Sequence, residues 1–178
     1  VLQAVASNDS LADFLVLNQV PYLIDGNNFL GHIAPYNFRD KRTKHRLVSE
    51  LLIFQRMKRI KVILVFDGAP DAKLMEKKFQ KKKFSIIYPP PGQKADETIK
   101  DIISRQTDLR KFSVVSSDFE VKSFAKAKGA RPLSSKEFNR ELRKELKENR
   151  KAAELSKDLS SLSPLEINHW LQIFEKRR

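Results

Sequence analysis

The chain has 178 residues and a mass of 20.6 kDa, enough for one α/β domain with a modest extension and too little for two full domains. Hydrophobic residues make up 40% and charged residues 32%, which supports a buried core and excludes wholesale disorder. With 35 basic against 22 acidic residues the net charge is +13, and the absence of cysteine removes disulfide scaffolds, Cys-based zinc sites, iron–sulfur clusters and thiol nucleophiles together.

Residues 1–19 form an N-terminal segment without a basic n-region; it carries Asp9 and Asp13 and does not read as a signal or transit peptide. No run of 18 apolar residues occurs anywhere, so no membrane helix is expected, and a cytoplasmic protein is the default. Val20–Ile24 (VPYLI) is a short apolar run closed by Asp25-Gly26-Asn27-Asn28, which read as turn residues. Lys44–Lys58 follows as a helix with Leu47, Val48, Leu51, Leu52 and Phe54 on one side. Ile60–Phe66 (IKVILVF) ends in Asp67-Gly68, and Phe112–Val115 (FSVV) runs through Ser116-Ser117 into Asp118. Such β-branched, continuous runs bounded by turn residues are the signature of buried parallel strands. Ser85–Tyr88 is a weaker strand stopped by Pro89-Pro90-Pro91-Gly92, and Ala130–Leu133 is a short edge strand, since Pro132 cannot donate to a ladder.

Helices over Asp96–Arg105 and Phe119–Lys128 separate these strands, the second ending at Gly129, a glycine suited to a C′ position. Alternating strand and helix predicts an open parallel sheet of four to five strands with crossover helices over residues 20–136. Residues 137–178 form a C-terminal helical extension. Ser134-Ser135-Lys136-Glu137 has the form of a capping box opening a helix to about Leu159, and Ser163-Pro164-Leu165-Glu166 opens another that places Ile167, Trp170, Leu171 and Phe174 on one face. That Trp170 helix either covers an exposed edge of the sheet domain or docks a partner or second copy.

The strand ends carry the chemistry. Asp25, Asp67 and Asp118 each close a strong strand, and ligands bind at the C-terminal edge of open parallel sheets. Each aspartate alone is also a natural N-cap. Asp96 lies three and seven residues before Ile99 and Ile103, so it shares the sheet-facing side of its helix, whereas Glu97 falls with Lys100, Asp101 and Ser104 on the solvent side. The expectation is therefore a cluster of Asp25, Asp67, Asp96 and Asp118. Carboxylates that close together need cations to stay ionised. Oxygen ligands without a His or Cys cluster select Mg²⁺ or Mn²⁺ over Zn²⁺, and such ions serve phosphodiester hydrolysis.

These residues resemble the NYN-domain branch of the PIN-like nucleases, and within it the YacP-like family. The segments that carry the resemblance are YLIDGNN (22–28), VFDGAP (65–70), KADETI (94–99) and SSDFEV (116–121) followed by AKGA (127–130), in a stretch from Tyr22 to Phe138. The resemblance implies a Rossmann-like PIN fold and metal-dependent endoribonuclease activity, with the family's acidic positions at Asp25, Asp67, Asp96 and Asp118. Asn28 would orient a water or a phosphate at the start of the first crossover; an ordinary turn asparagine is the alternative.

The charge pattern agrees with a polyanionic partner. Residues 1–38 hold no Lys or Arg, while residues 39–136 hold 25 basic and 11 acidic residues. The positive field thus belongs to the middle of the domain, where it attracts RNA, either single-stranded or structured, and suits a ribonucleoprotein such as the ribosome. Arg39, Lys41, Arg42, Lys44 and Arg46 follow the first strand-end loop and are candidate phosphate contacts; Tyr36 and Phe38 are candidate stacking residues or core residues. The densest run includes Lys77, Lys81, Lys82 and Lys83, either an RNA-binding arm or a solvated helix face. His32, His45 and His169 share no spacing and read as surface or packing residues. The rival function is a non-catalytic RNA-binding module on the same scaffold. A nucleotide-binding α/β protein is disfavoured, because five glycines form no phosphate-cradling motif.

Overall fold

A computed structural model describes residues 22–33, 41–76, 79–80 and 83–160. The expectations for residues 1–21, for Tyr36, Phe38, Arg39, Lys77, Lys81, Lys82 and His169, and for the Trp170 helix lie outside the described residues.

The described residues form five strands and five helices: β1 (Tyr22–Asp25), α1 (Gly26–His32), α2 (Lys41–Lys58), β2 (Val62–Val65), β3 (Phe84–Ile87), α3 (Ala95–Ser104), β4 (Ser113–Val115), α4 (Phe119–Ala127), β5 (Arg131–Leu133) and α5 (Ser135–Ser160). The strands form one parallel sheet in the order β3-β2-β1-β4-β5. β1 is central and pairs with β2 on one side and β4 on the other, so the strands that lead into Asp25, Asp67 and Asp118 are neighbours. The sheet order reverses between β1 and β4, the switch point where adjacent crossovers leave for opposite faces and a crevice opens.

Strand pleating divides the core in two. Tyr22, Ile24, Val62, Leu64 and Phe66 face a layer made by α1, α2 and α5, and pack with Phe29, Leu51, Phe54, Phe138 and Leu142. Leu23, Ile63, Val65 and Val114 face the opposite layer, against Ile99, Ile102 and Ile103 of α3 and Val121 and Ala125 of α4. Phe138 anchors α5 in the first layer through ring contacts with Tyr22, Phe29 and Phe54 at centroid separations of 5.4–5.6 Å. The expected capping box forms: Ser134 N–H donates to Glu137 Oε2 at 2.8 Å and Glu137 N–H donates to Ser134 Oγ at 3.2 Å. Gly129 takes φ +89° just beyond α4, the left-handed conformation expected of it.

One local expectation is corrected. Gly26-Asn27-Asn28 is not a turn but the start of α1, which follows β1 directly because Asp25 caps it, its side chain accepting from Asn28 N–H at 3.0 Å. Gly26 is required there: a Cβ would sit 2.4 Å from the buried Phe66 ring. The stretch after Asp67 forms turns over Ala72–Met75, held by Asp71 Oδ1 accepting from Lys73 N–H at 2.9 Å and by the buried Leu74.

Candidate functional site

At the C-terminal edge of the sheet an open cleft of about 390 Å³ is lined by Asp25, Asn27, Asn28, Gly31, His32, Asp67, Asp96 and Asp118. The structure thus brings the four aspartates singled out from the sequence to one place. Each arrives by a different route. Asp25 ends the central strand, Asp67 follows β2, Asp96 sits in the first turn of α3, and Asp118 precedes α4. Glu97, its neighbour in sequence, points to solvent, as helical spacing predicts.

Three of the carboxylates also serve as helix caps. Asp25 Oδ1 accepts from Asn28 N–H, Asp118 Oδ1 accepts from Val121 N–H at 3.0 Å, and Asp67 Oδ1 accepts from Ala95 N–H at 2.7 Å. The last spans 28 positions and caps α3, whose own N-cap, Lys94, contributes no side-chain bond. Helix N-termini hold these carboxylates in place, and their partial positive charge offsets part of the mutual repulsion.

The site remains electrostatically loaded. Burial pushes Asp25 up to about 6; the charges of Asp96 and Asp67 add to this, against hydrogen bonds from Asn28 N–H and Ser116. Asp96 is also raised, by burial first and then by Asp118 and Asp67. On α2, Lys44 Nζ lies 4.9 Å from the centroid of the Phe66 ring. Burial lowers its pKa, although Asp71 and Asp67 pull the other way. Among the described residues, the acids of the cleft thus raise one another within a protein of net positive charge.

The sequence singled out Asn28 but not Ser116 or Asn27, which the structure adds to the site. Ser116 is fully buried; its hydroxyl donates to Asp25 Oδ2 at 3.4 Å and accepts from Asp118 N–H at 3.1 Å, linking the Asp25 carboxylate to the Asp118 backbone. Asn28 works as a bracket: its Oδ1 accepts from Ser117 N–H at 2.7 Å and from Ser135 Oγ at 3.2 Å, tying α1 to the ends of β4 and β5. Its carboxamide oxygen is thus occupied, which leaves the nitrogen to offer to the cleft. Asn27 Oδ1 is buried and meets no donor among the described residues. His32, expected as a surface or packing residue, is exposed on the cleft wall with Nδ1 2.9 Å from Asn28 O, the geometry of a protonated Nδ1 donating to a carbonyl.

The basic candidates divide. Lys41 and Arg42 are exposed at the start of α2, on the cleft side of the sheet, with Lys44 one turn further in. Arg46 pairs with Glu50 at 3.1 Å. Lys83 immediately precedes β3 and so lies at the opposite edge of the sheet, away from the carboxylates.

The donor chemistry matches a hard divalent cation: carboxylate oxygens together with the orphaned carboxamide oxygen of Asn27. As their capping bonds place them, no three acidic or histidine side chains among the described residues stand close enough to grip an ion.

The sequence matches no curated protein. Among solved structures, Rae1 (YacP) from Bacillus subtilis is similar at a TM-score of 0.66 and 19% identity, with 90% of this chain and 95% of that one covered. A single-substitution mutant of the same protein gives 0.60 and 20%, over 80% and 84%. At these identities the likeness carries the fold. The model of the YacP-like NYN domain matches residues 22–175 of this sequence. The chain belongs to that family, the YacP-like NYN domains of the PIN-like nucleases.

Proposed function

We propose that this protein is a divalent-metal-dependent endoribonuclease that hydrolyses RNA phosphodiester bonds in the aspartate cleft. What carries the reading is the meeting of Asp25, Asp67, Asp96 and Asp118 in one crevice at the sheet's switch point, in a protein of net charge +13. Asp25, Asp67, Asp96 and Asp118 would hold Mg²⁺ or Mn²⁺, which supplies activation of a water and neutralisation of charge on the phosphate. Ser116 fixes Asp25 against the Asp118 backbone, and Asn28 holds the walls of the crevice together. Lys41, Arg42 and Lys44, at the start of α2, guide the RNA backbone toward the acids.

The rival reading, a non-catalytic RNA-binding module, draws on the separation of the carboxylates as placed. Against it, four acids facing a phosphate backbone would only weaken a pure binder. Incubation with a pool of single-stranded and structured RNA tests the proposal. Hydrolysis should leave 5′-phosphate and 3′-hydroxyl ends; 2′,3′-cyclic phosphate ends, formed by attack of the ribose hydroxyl, would contradict it. Cleavage of ribosome-bound RNA with none of naked RNA would make a ribonucleoprotein the substrate.

A further inference from the structure

Among the described residues only Met57, Met75 and Phe119 are large apolar side chains left exposed, and Phe119 is the extreme case at 79% against 41% for each methionine. Six other phenylalanines, at 29, 54, 66, 84, 112 and 138, are essentially fully buried. A single exposed phenylalanine is unremarkable on its own. Its position is what matters. Phe119 is the first residue of α4 and follows Asp118, whose carboxylate lines the cleft and caps that helix. Val121 and Ala125 turn the buried face of α4 inward, so helical spacing puts Phe119, Lys122, Ser123 and Lys126 together on the outer face. An aromatic ring thus stands at the cleft end of a helix whose same face carries lysines one and two turns back. The next residue, Glu120, is paired with Lys100 of α3 at 3.2 Å, which ties the start of α4 to the helix that carries Asp96.

Aromatic rings beside a cationic track are how proteins hold single-stranded nucleic acid: every base has a π-face, and lysines follow the phosphates. We propose that Phe119 is the stacking platform for a nucleobase of the substrate RNA next to the scissile phosphate, with Lys122 and Lys126 contacting the backbone that leads away along α4. This rests on the nuclease reading above and deepens it, by assigning a specificity residue outside the carboxylates. Stacking on one face tolerates any base but requires an unpaired one, so the cut is directed to single-stranded or splayed nucleotides.

The test uses the full chain and RNA oligonucleotides carrying one abasic site at successive positions around the cleavage point. Phe119→Ala should weaken binding and raise KM about tenfold, the scale of losing one base–aromatic stack, with kcat changed far less. In wild type one abasic position should cost as much, and at that position Phe119→Ala should cost nothing more. Phe119→Trp should keep binding, with tryptophan emission quenched by RNA beyond the response of the unsubstituted protein. Binding and cleavage by Phe119→Ala within twofold of wild type would overturn the assignment alone. So would equal sensitivity of both proteins at every abasic position, or a drop of several degrees in the melting temperature of Phe119→Ala, which would mark the ring as packed rather than offered. Loss of a wild-type dimer in Phe119→Ala would also overturn it, in favour of a protein contact. RNA that neither binds to wild type nor is cut would overturn the nuclease reading, and this assignment with it.

Discussion

Asp25→Asn should make the protein more stable while removing its activity. Asp25 is 4% exposed and its acidity is displaced from 3.8 to about 6, chiefly by burial. Between those values the folded state holds a proton that the unfolded chain has released, so stability falls as pH rises from about 4 to about 6 and stays lost above. A displacement of roughly two pH units at 1.36 kcal/mol each corresponds to about 3 kcal/mol, an upper figure. Asparagine removes the buried charge and keeps the cap, since its Oδ1 can still accept the Asn28 N–H now bonded at 3.0 Å. Urea unfolding of both proteins in EDTA, from pH 4 to pH 8, measures the effect. The stability difference should be small at pH 4 and grow to about 3 kcal/mol in favour of the variant above pH 7, or about 6–12 °C in Tm. Asp96 titrates in both proteins and largely cancels. A difference that is flat with pH, or a variant less stable than wild type at pH 7.5, would refute the reasoning.

Three further predictions follow from the same geometry. Mn²⁺ or Mg²⁺ should stabilise wild type by an amount that grows with the logarithm of its concentration above Kd, about 2.7 kcal/mol at 100 times Kd, and so raise its Tm, and Asp25→Asn should lose most of this; a calorimetric scan with and without chelator checks it. Gly26→Ala forces a methyl to 2.4 Å from the Phe66 ring, which is fully buried and cannot swing away, so urea unfolding should show a loss of about 2 kcal/mol. Asn28→Ala leaves Ser117 N–H and Ser135 Oγ without their shared acceptor and should cost about 2 kcal/mol, with faster hydrogen exchange at Ser117.

The sheet was legible because its strands are plain: VILV and SVV are apolar on both faces, as strands covered by helices on both sides must be. Asp96 was legible for a related reason, since Ile99 and Ile103 mark which side of α3 is buried. Helix α1 was not, because Gly-Asn-Asn has turn chemistry and becomes helical only through the Asp25 cap and the close approach of Phe66. Nor were Ser116, Asn27 and the bracket made by Asn28. Ser116 and Asp25 are 91 positions apart and Asn28 and Ser135 are 107 apart, and no local period encodes contacts that depend on β1 and β4 being neighbours. The same holds for the double duty of Asp67, whose helix lies 28 residues downstream.

The most direct test of the central claim compares Asp96→Asn with Glu97→Gln, adjacent acids of which only the first lines the cleft. Each would be assayed for cleavage of labelled RNA in Mn²⁺, Mg²⁺ or EDTA, with RNA binding recorded in parallel. The account predicts that chelation abolishes cleavage, that Asp96→Asn loses it by about 100-fold or more with binding kept, roughly the scale of a lost electrostatic stabiliser, and that Glu97→Gln behaves as wild type. Cleavage that survives EDTA, or that the two variants reduce equally, would contradict it.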